Sequence, residues 1–120
     1  MVEILPESSE ACVVVRLEGM ITGDEYRVFL DAVTSRLEGN KTIDVVADLS
    51  EIKFYGDFEA FREDLHFGTH EFRKVRRAAF VGDQKWIDVL LKLMSHFYRA
   101  EDRHFPKGQL EEAVAWASSR

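Results

Sequence analysis

Two short, nearly unbroken apolar runs most constrain what this chain can fold into. They are residues 42–48 (TIDVVAD) and residues 77–82 (RAAFVG). Apolar side chains at successive positions are typical of strands buried on both faces, as in parallel sheets. Segments with helical periodicity lie before, between and after these runs. Repeated strand–helix–strand units join through right-handed crossovers, so the pattern predicts a mostly parallel sheet packed against helices.

The remaining segments complete the predicted order of elements. Residues 2–5 and 12–19 predict a hairpin, because a short polar turn joins them and the second alternates apolar and polar residues. Thr22 predicts a helix N-cap, and Glu25 completes a capping box. The other predicted elements are a loop at 49–56, helices at 57–72, 84–98 and 109–118, and an edge strand at 103–105.

The predicted order is therefore ββαβαβαβα, with all 120 residues in a single domain. We expect an α/β fold whose five-stranded sheet is mixed and mostly parallel.

The segment 84–98 (QKWIDVLLKLMSHFY) carries more apolar surface than one helix docked on a sheet needs. On a helical wheel its apolar side chains cover an arc of about 200°, whereas a single contact needs roughly 100°. Its second apolar flank therefore requires a cover. Another helix, a second subunit, a lipid surface and a bound nonpolar molecule are the alternatives.

An aromatic-rich predicted helix, 57–72, supplies the other wall of a predicted nonpolar site. We expect an acyl chain or a similar molecule to lie between the two helices, although core packing by the same side chains is the ordinary alternative. A homodimer or a regulatory protein that covers the arc is a further alternative. The predicted ligand-binding residues are Phe58, Phe61, Leu65, Trp86, Leu90, Leu93, Met94 and Phe97.

A second set of residues predicts contact with a membrane or a partner. Phe67 falls on the polar side of the helix at 57–72, where an aromatic side chain is more typical of an exposed contact than of a core. A basic run follows, made of Arg73, Lys74, Arg76 and Arg77. Such a run can dock on anionic head groups, while pairing with acidic neighbours is the ordinary alternative.

Composition argues against several classes of function. The net charge of −6 is unsuited to a nucleic-acid partner, which requires a basic surface. The N-terminal residues do not resemble a signal peptide, and no run is long enough to span a bilayer. Cys12 is the single cysteine, as expected in a reducing compartment. We therefore expect a cytoplasmic protein that associates with a membrane peripherally if at all.

Catalytic and metal-binding patterns are weak. Asp48 and Asp83 follow strands at the predicted carboxyl edge, where α/β proteins bind ligands, but a loop-organising role and a helix N-cap explain them more simply. His66 and His70 are spaced as zinc ligands, yet they fall on a helix side expected to face solvent. We predict no enzyme activity, no metal and no cofactor.

Three segments resemble a family of small bacterial SpoIIAA-like proteins. They are residues 64–68 (DLHFG), 79–86 (AFVGDQKW) and 112–116 (EAVAW). The resemblance covers nearly the whole chain. It implies the β/α superhelix shared by STAS domains and CRAL-TRIO lipid-binding domains, with binding of nonpolar ligands, membrane association through shifting helices and no catalysis.

STAS domains proper carry a loop in which Asp-Leu-Ser precedes a phosphorylated serine. Asp48, Leu49 and Ser50 match the opening of that loop, but the phosphorylated position falls on Phe58. Phenylalanine has no hydroxyl to accept phosphate. The resemblance therefore implies binding without the usual phosphoserine switch.

Overall fold

A computed structural model describes residues 1–52, 74–83, 85, 87–88 and 101–119. These residues form five strands of one sheet, with two helices packed on it. The strands are β1 (Val2–Ile4), β2 (Cys12–Gly19), β3 (Ile43–Ile52), β4 (Val75–Val81) and β5 (Glu101–Phe105). The helices are α1 (Gly23–Leu37) and α2 (Leu110–Ser118).

The strands lie in the sheet in the same order as in the sequence, β1-β2-β3-β4-β5. β1 is antiparallel to β2, and every later pair is parallel. This arrangement confirms the predicted mixed, mostly parallel sheet of five strands. β5 is an edge strand, as predicted, although it begins at Glu101 rather than at residue 103.

Helix α1 begins where the capping signal places it. The backbone N–H of Glu25 donates to the Thr22 side-chain oxygen at 3.2 Å, and Asp24 and Glu25 put negative charge in the first turn. Both features stabilise a helix N-terminus, since its first amides lack partners within the helix. Phe29 and Val33 then face the sheet and are buried.

The sheet has two apolar faces. The first face lies under α1 and buries Val13, Val45 and Phe80 together with Ile87. The second face lies under α2 and buries Val14, Val46, Ala79 and Phe105. Ala113 and Ala117 of α2 are fully buried against it, and their small side chains let the helix approach the strands closely.

Two further boundaries differ from the sequence prediction by two residues or more. β3 continues to Ile52, so the predicted loop was wrong at residues 49–52. Leu49 and Ile52 are buried in the first face, and one extra residue in β3 shifts its pairing with β2 beyond Asp48. The chain thus gains two more core side chains than a strand ending at Asp48 would provide. β4 begins at Val75, two residues before its predicted start.

The two helices predicted to hold a nonpolar ligand fall largely outside the described residues. Ile87 and Asp88 are described and have helical backbone; Ile87 is fully buried, and Asp88 is exposed. The predicted ligand-binding and contact residues that lie outside the described part are Phe58, Phe61, Leu65, Phe67, Arg73, Trp86, Leu90, Leu93, Met94 and Phe97.

Candidate functional site

Helix α2 is too short to cover the whole second face of the sheet. Its nine residues extend roughly 13 Å at 1.5 Å per residue. The ten residues of β3 extend roughly 33 Å. On this face, β2 changes from Cys12 and Val14 near its amino end to Arg16 and Glu18 near its carboxyl end. Asp48 and Glu51 of β3 pair with these two charged residues. We call the charged part, made of Glu3, Arg16, Glu18, Asp48 and Glu51, the charged half.

An ion pair lies at the centre of the charged half. Arg16 Nε donates to Asp48 Oδ2 at 3.3 Å, joining neighbouring positions of β2 and β3. The other carboxylate oxygen of Asp48 accepts the backbone N–H of Ser50 at 3.0 Å. Asp48 therefore stabilises β3 where its pairing with β2 shifts, within a strand rather than before the loop that the sequence predicted, and its side chain is only 12% exposed.

The turn between β5 and α2 is attached to the same edge of the sheet. The backbone N–H of Lys107 donates to Asp83 Oδ1 at 2.9 Å, and Lys107 Nζ donates to Glu51 Oε1 at 2.9 Å. The hydrogen bond and charge of Glu51 raise the pKa of Lys107, and the charges of Asp83 and Asp48 act in the same direction. Gly108 follows with a φ of +90°, which a residue with a side chain rarely adopts.

Asp48 and Asp83 make their hydrogen bonds to different parts of the chain. Asp48 accepts a hydrogen bond from Arg16 of β2, whereas Asp83 accepts one from the backbone N–H of Lys107, in the turn after β5. In addition, the strand order runs without a reversal. Open α/β sheets bind ligands in the crevice where the strand order reverses, and that crevice is absent among these five strands. The carboxyl edge is therefore built as a fixed, charged surface.

Two members of the predicted basic run bind the end of α2. Arg76 donates to both carboxylate oxygens of Asp44, at 2.9 and 3.1 Å, and to the backbone oxygens of Ala117 and Ser119. Arg77 donates to the backbone oxygen of Trp116 at 2.7 Å. One terminal nitrogen of each of these arginines is thus hydrogen-bonded within the chain, whereas Lys74 is exposed.

A signal for this ion pair is present in the sequence. Asp44 stands inside an apolar run, and a carboxylate at a buried strand position requires a basic partner. The partner, Arg76, is 32 positions away and lies at the irregularity in β4 just before Arg77, the register partner of Asp44.

His104 is a second feature that sequence reasoning missed. Its Nδ1 lies 3.0 Å from Asp88 Oδ1, and its Nε2 contacts the backbone oxygen of Gly82. The ring therefore connects the edge strand β5 to the residue after β4 and to the helical backbone at Asp88. Within the described ranges, no three His, Cys, Asp or Glu side chains are grouped as a metal site would require.

Neither α1 nor α2, nor any other helical stretch in the described part of the chain, is long and apolar enough to cross a membrane.

The geometry defines a class: a SpoIIAA-type α/β domain with a consecutive, mostly parallel sheet and an antiparallel first strand. A family model described as SpoIIAA-like matches residues 12–118, and the chain belongs to that family. Among solved structures, an uncharacterized protein with a SpoIIAA-like fold from Shewanella loihica PV-4 is similar, with a TM-score of 0.74. The two chains are 22% identical over 97% of this chain and 93% of the other, a likeness that shows the shared fold. A search of curated proteins finds no match.

Proposed function

We propose that the chain is a non-enzymatic, cytoplasmic interaction module that acts by binding another protein. The observation that carries this proposal is the charged half of the second face, where Asp48 holds Arg16 in place while Glu3 is exposed and Arg16 is partly exposed. A surface whose charged groups are fixed before binding loses little side-chain entropy on association. Membership of the SpoIIAA-like family supports the same role.

Binding is proposed to occur without a phosphoserine switch. Ser50 is part of the strand end organised by Asp48, and Phe58 stands where the phosphorylated serine of STAS domains falls. Binding of the partner would then be regulated by the partner's concentration or by a second ligand.

Affinity capture followed by reconstitution tests the proposal. The tagged chain is used to recover proteins from extracts of its native cells, and each candidate is then purified and titrated against the chain. We expect one protein to form a complex of defined stoichiometry in purified form. Failure of every purified candidate to bind would contradict an interaction role.

A nonpolar ligand is a second candidate, favoured by the apolar arc of residues 84–98. Ile87 is buried and Asp88 is exposed, which sets the phase of the predicted helix. At 100° per residue, Trp86, Leu93 and Phe97 lie about 80–120° around from Ile87, on one flank. We propose that this flank, with Leu90 and Met94 beside it, faces Phe58, Phe61 and Leu65 across a bound acyl chain. Peripheral membrane contact would then involve Phe67, Arg73 and Lys74.

Displacement of a fluorescent fatty acid tests this second candidate. Leu93→Asp is expected to abolish uptake, because a carboxylate on the apolar flank must be desolvated when the ligand enters. Lys92→Asp, on the predicted polar side, is the matched control and should leave uptake unchanged. Absence of displacement in the wild type, together with no bound lipid in native mass spectrometry, would remove this candidate.

A further inference from the structure

We infer that the charged half of the second face is where this chain receives a basic segment of its protein partner. The inference rests on the proposed interaction role and assigns a surface and a partner chemistry to it.

The first support is the open position of these side chains on the sheet. In the part of the chain that the structure describes, α2 is the helix packed on the second face, and it contacts mainly β4 and β3. Its buried cluster includes Val81 and Phe105 at the carboxyl ends of β4 and β5, whereas the charged half lies on β1, β2 and the adjoining part of β3. Glu3 is exposed, and the Arg16 side chain is 36% exposed. Along β2, the side chains on this face change from Cys12 and Val14, which are buried in the cluster under α2, to the charged Arg16 and Glu18.

The second support is the register, which places the charges side by side. Glu3 pairs with Arg16, and Arg16 pairs with Asp48, so one row crosses three strands. Glu18 pairs with Glu51 in the next row toward the carboxyl edge. Directly opposed side chains on neighbouring strands lie about 5 Å apart, so these groups form one continuous surface.

The third support is the balance of charge. Arg16 pairs with Asp48, and Lys107 pairs with Glu51. Among the described contacts, Glu3 and Glu18 have no ion-pair partner, and they flank Arg16 on β1 and β2. Basic side chains of a partner would complement these two carboxylates and would also speed association by electrostatic attraction.

Arg16 adds a geometric requirement for the partner. Its Nε is used by Asp48, while its terminal nitrogens donate to no acceptor within the described residues. They are therefore open to a carbonyl or carboxylate oxygen. The expected occupant is a segment with two basic side chains, one on each side of such an acceptor. A second copy of this chain would bring its own unpaired carboxylates to the same surface, which disfavours self-docking.

The test uses a short synthetic peptide of alternating lysine and threonine as the probe, with NMR shift mapping and titration at low salt. Two double variants alter the net charge equally: Glu3→Lys with Glu18→Lys on the charged half, and Asp31→Lys with Glu38→Lys at exposed positions on and after α1. Thermal melts establish that both variants fold. We expect shifts at residues 16–18 and 48–51, and about a tenfold loss of affinity in the first variant, or about 1.4 kcal/mol. The second variant should stay within about twofold of the wild type.

Equal losses in the two variants would mean that the peptide responds to net charge alone, and would overturn the inference. Absence of binding, shifts confined to other surfaces, or self-association through the charged half would also overturn it. If a natural partner is recovered and binds both variants equally well, this surface assignment fails while the interaction role stands. If no partner binds the wild type, the interaction role itself fails.

Discussion

Asp44 and Arg76 join the interior of the sheet to the end of α2. Asp44 is 2% exposed at the start of β3, and Arg76 binds both of its carboxylate oxygens. This hydrogen bonding raises the pKa of Arg76 above its ordinary value. The same guanidinium donates to two carbonyls at the end of α2, where backbone oxygens lack partners within the helix and a positive charge is favourable.

Breaking this pair should be costly. Asp44→Ala is expected to lower the free energy of unfolding by about 3 kcal/mol, because it leaves the Arg76 charge partly buried without its carboxylate. Urea denaturation measures the loss. Glu101→Ala is the control, since Glu101 pairs with Arg77 at 3.5 Å and is largely exposed; it should cost less than about 1 kcal/mol. Equal effects of the two substitutions would contradict a structural role for Asp44.

Arg77 should hold the last turn of α2 against β4 by its shape as well as its charge. Its guanidinium lies 5.1 Å from the Trp116 ring centre and donates to the Trp116 backbone oxygen. Arg77→Lys keeps the charge but loses the planar stacking group, so we expect a cost of about 1 kcal/mol. Hydrogen exchange of the α2 amides should accelerate in this variant. Unchanged exchange would show that the contact adds nothing.

Cys12 predicts a pH dependence of stability. Burial raises the pKa of its thiol, so the folded chain retains this proton at a pH where the unfolded chain loses it. Because the folded state then binds more protons, rising pH favours unfolding above about pH 8.5. The wild type should therefore lose part of its stability advantage over Cys12→Ala between about pH 8 and about pH 10, because the variant has no thiol to titrate. A constant difference would contradict the raised pKa.

Leu90→Asp separates the two uses proposed for the apolar arc. If a nonpolar ligand covers the arc, the variant should lose fatty-acid displacement at an unchanged molecular mass. If a second copy covers it, light scattering across a concentration series should show a wild-type dimer and a monomeric variant. A variant that matches the wild type in both measurements would assign Leu90 to neither role.

Local patterns in the sequence predicted the elements whose structure depends on neighbouring residues. Thr22 and Glu25 located the start of α1, and the apolar runs indicated the parallel strands. The extension of β3 to Ile52 was missed because it depends on burial of Leu49 and Ile52 beneath residues distant in sequence.

Interactions across the sheet were beyond local signals. Asp44 with Arg76, and Arg16 with Asp48, are each separated by 32 positions. Arg16 and Asp48 are register partners, whereas Arg76 lies at an irregularity in the pairing of β4 with β3. The charged half depends on the placement of α2 mainly over β3 and β4, which no local pattern in the sequence indicates. The ligand-binding residues predicted at 58–65 and 86–97 remain predictions.

Hydrogen exchange of the chain with and without a purified, reconstituted protein partner tests the interaction role most directly. We predict that binding slows exchange in β2 at residues 15–19 and in β3 at residues 48–52, while the α2 amides stay unchanged. A complex that leaves both stretches unprotected would contradict the assignment of the charged half as the binding surface, and the failure of any purified partner to bind would contradict the interaction role.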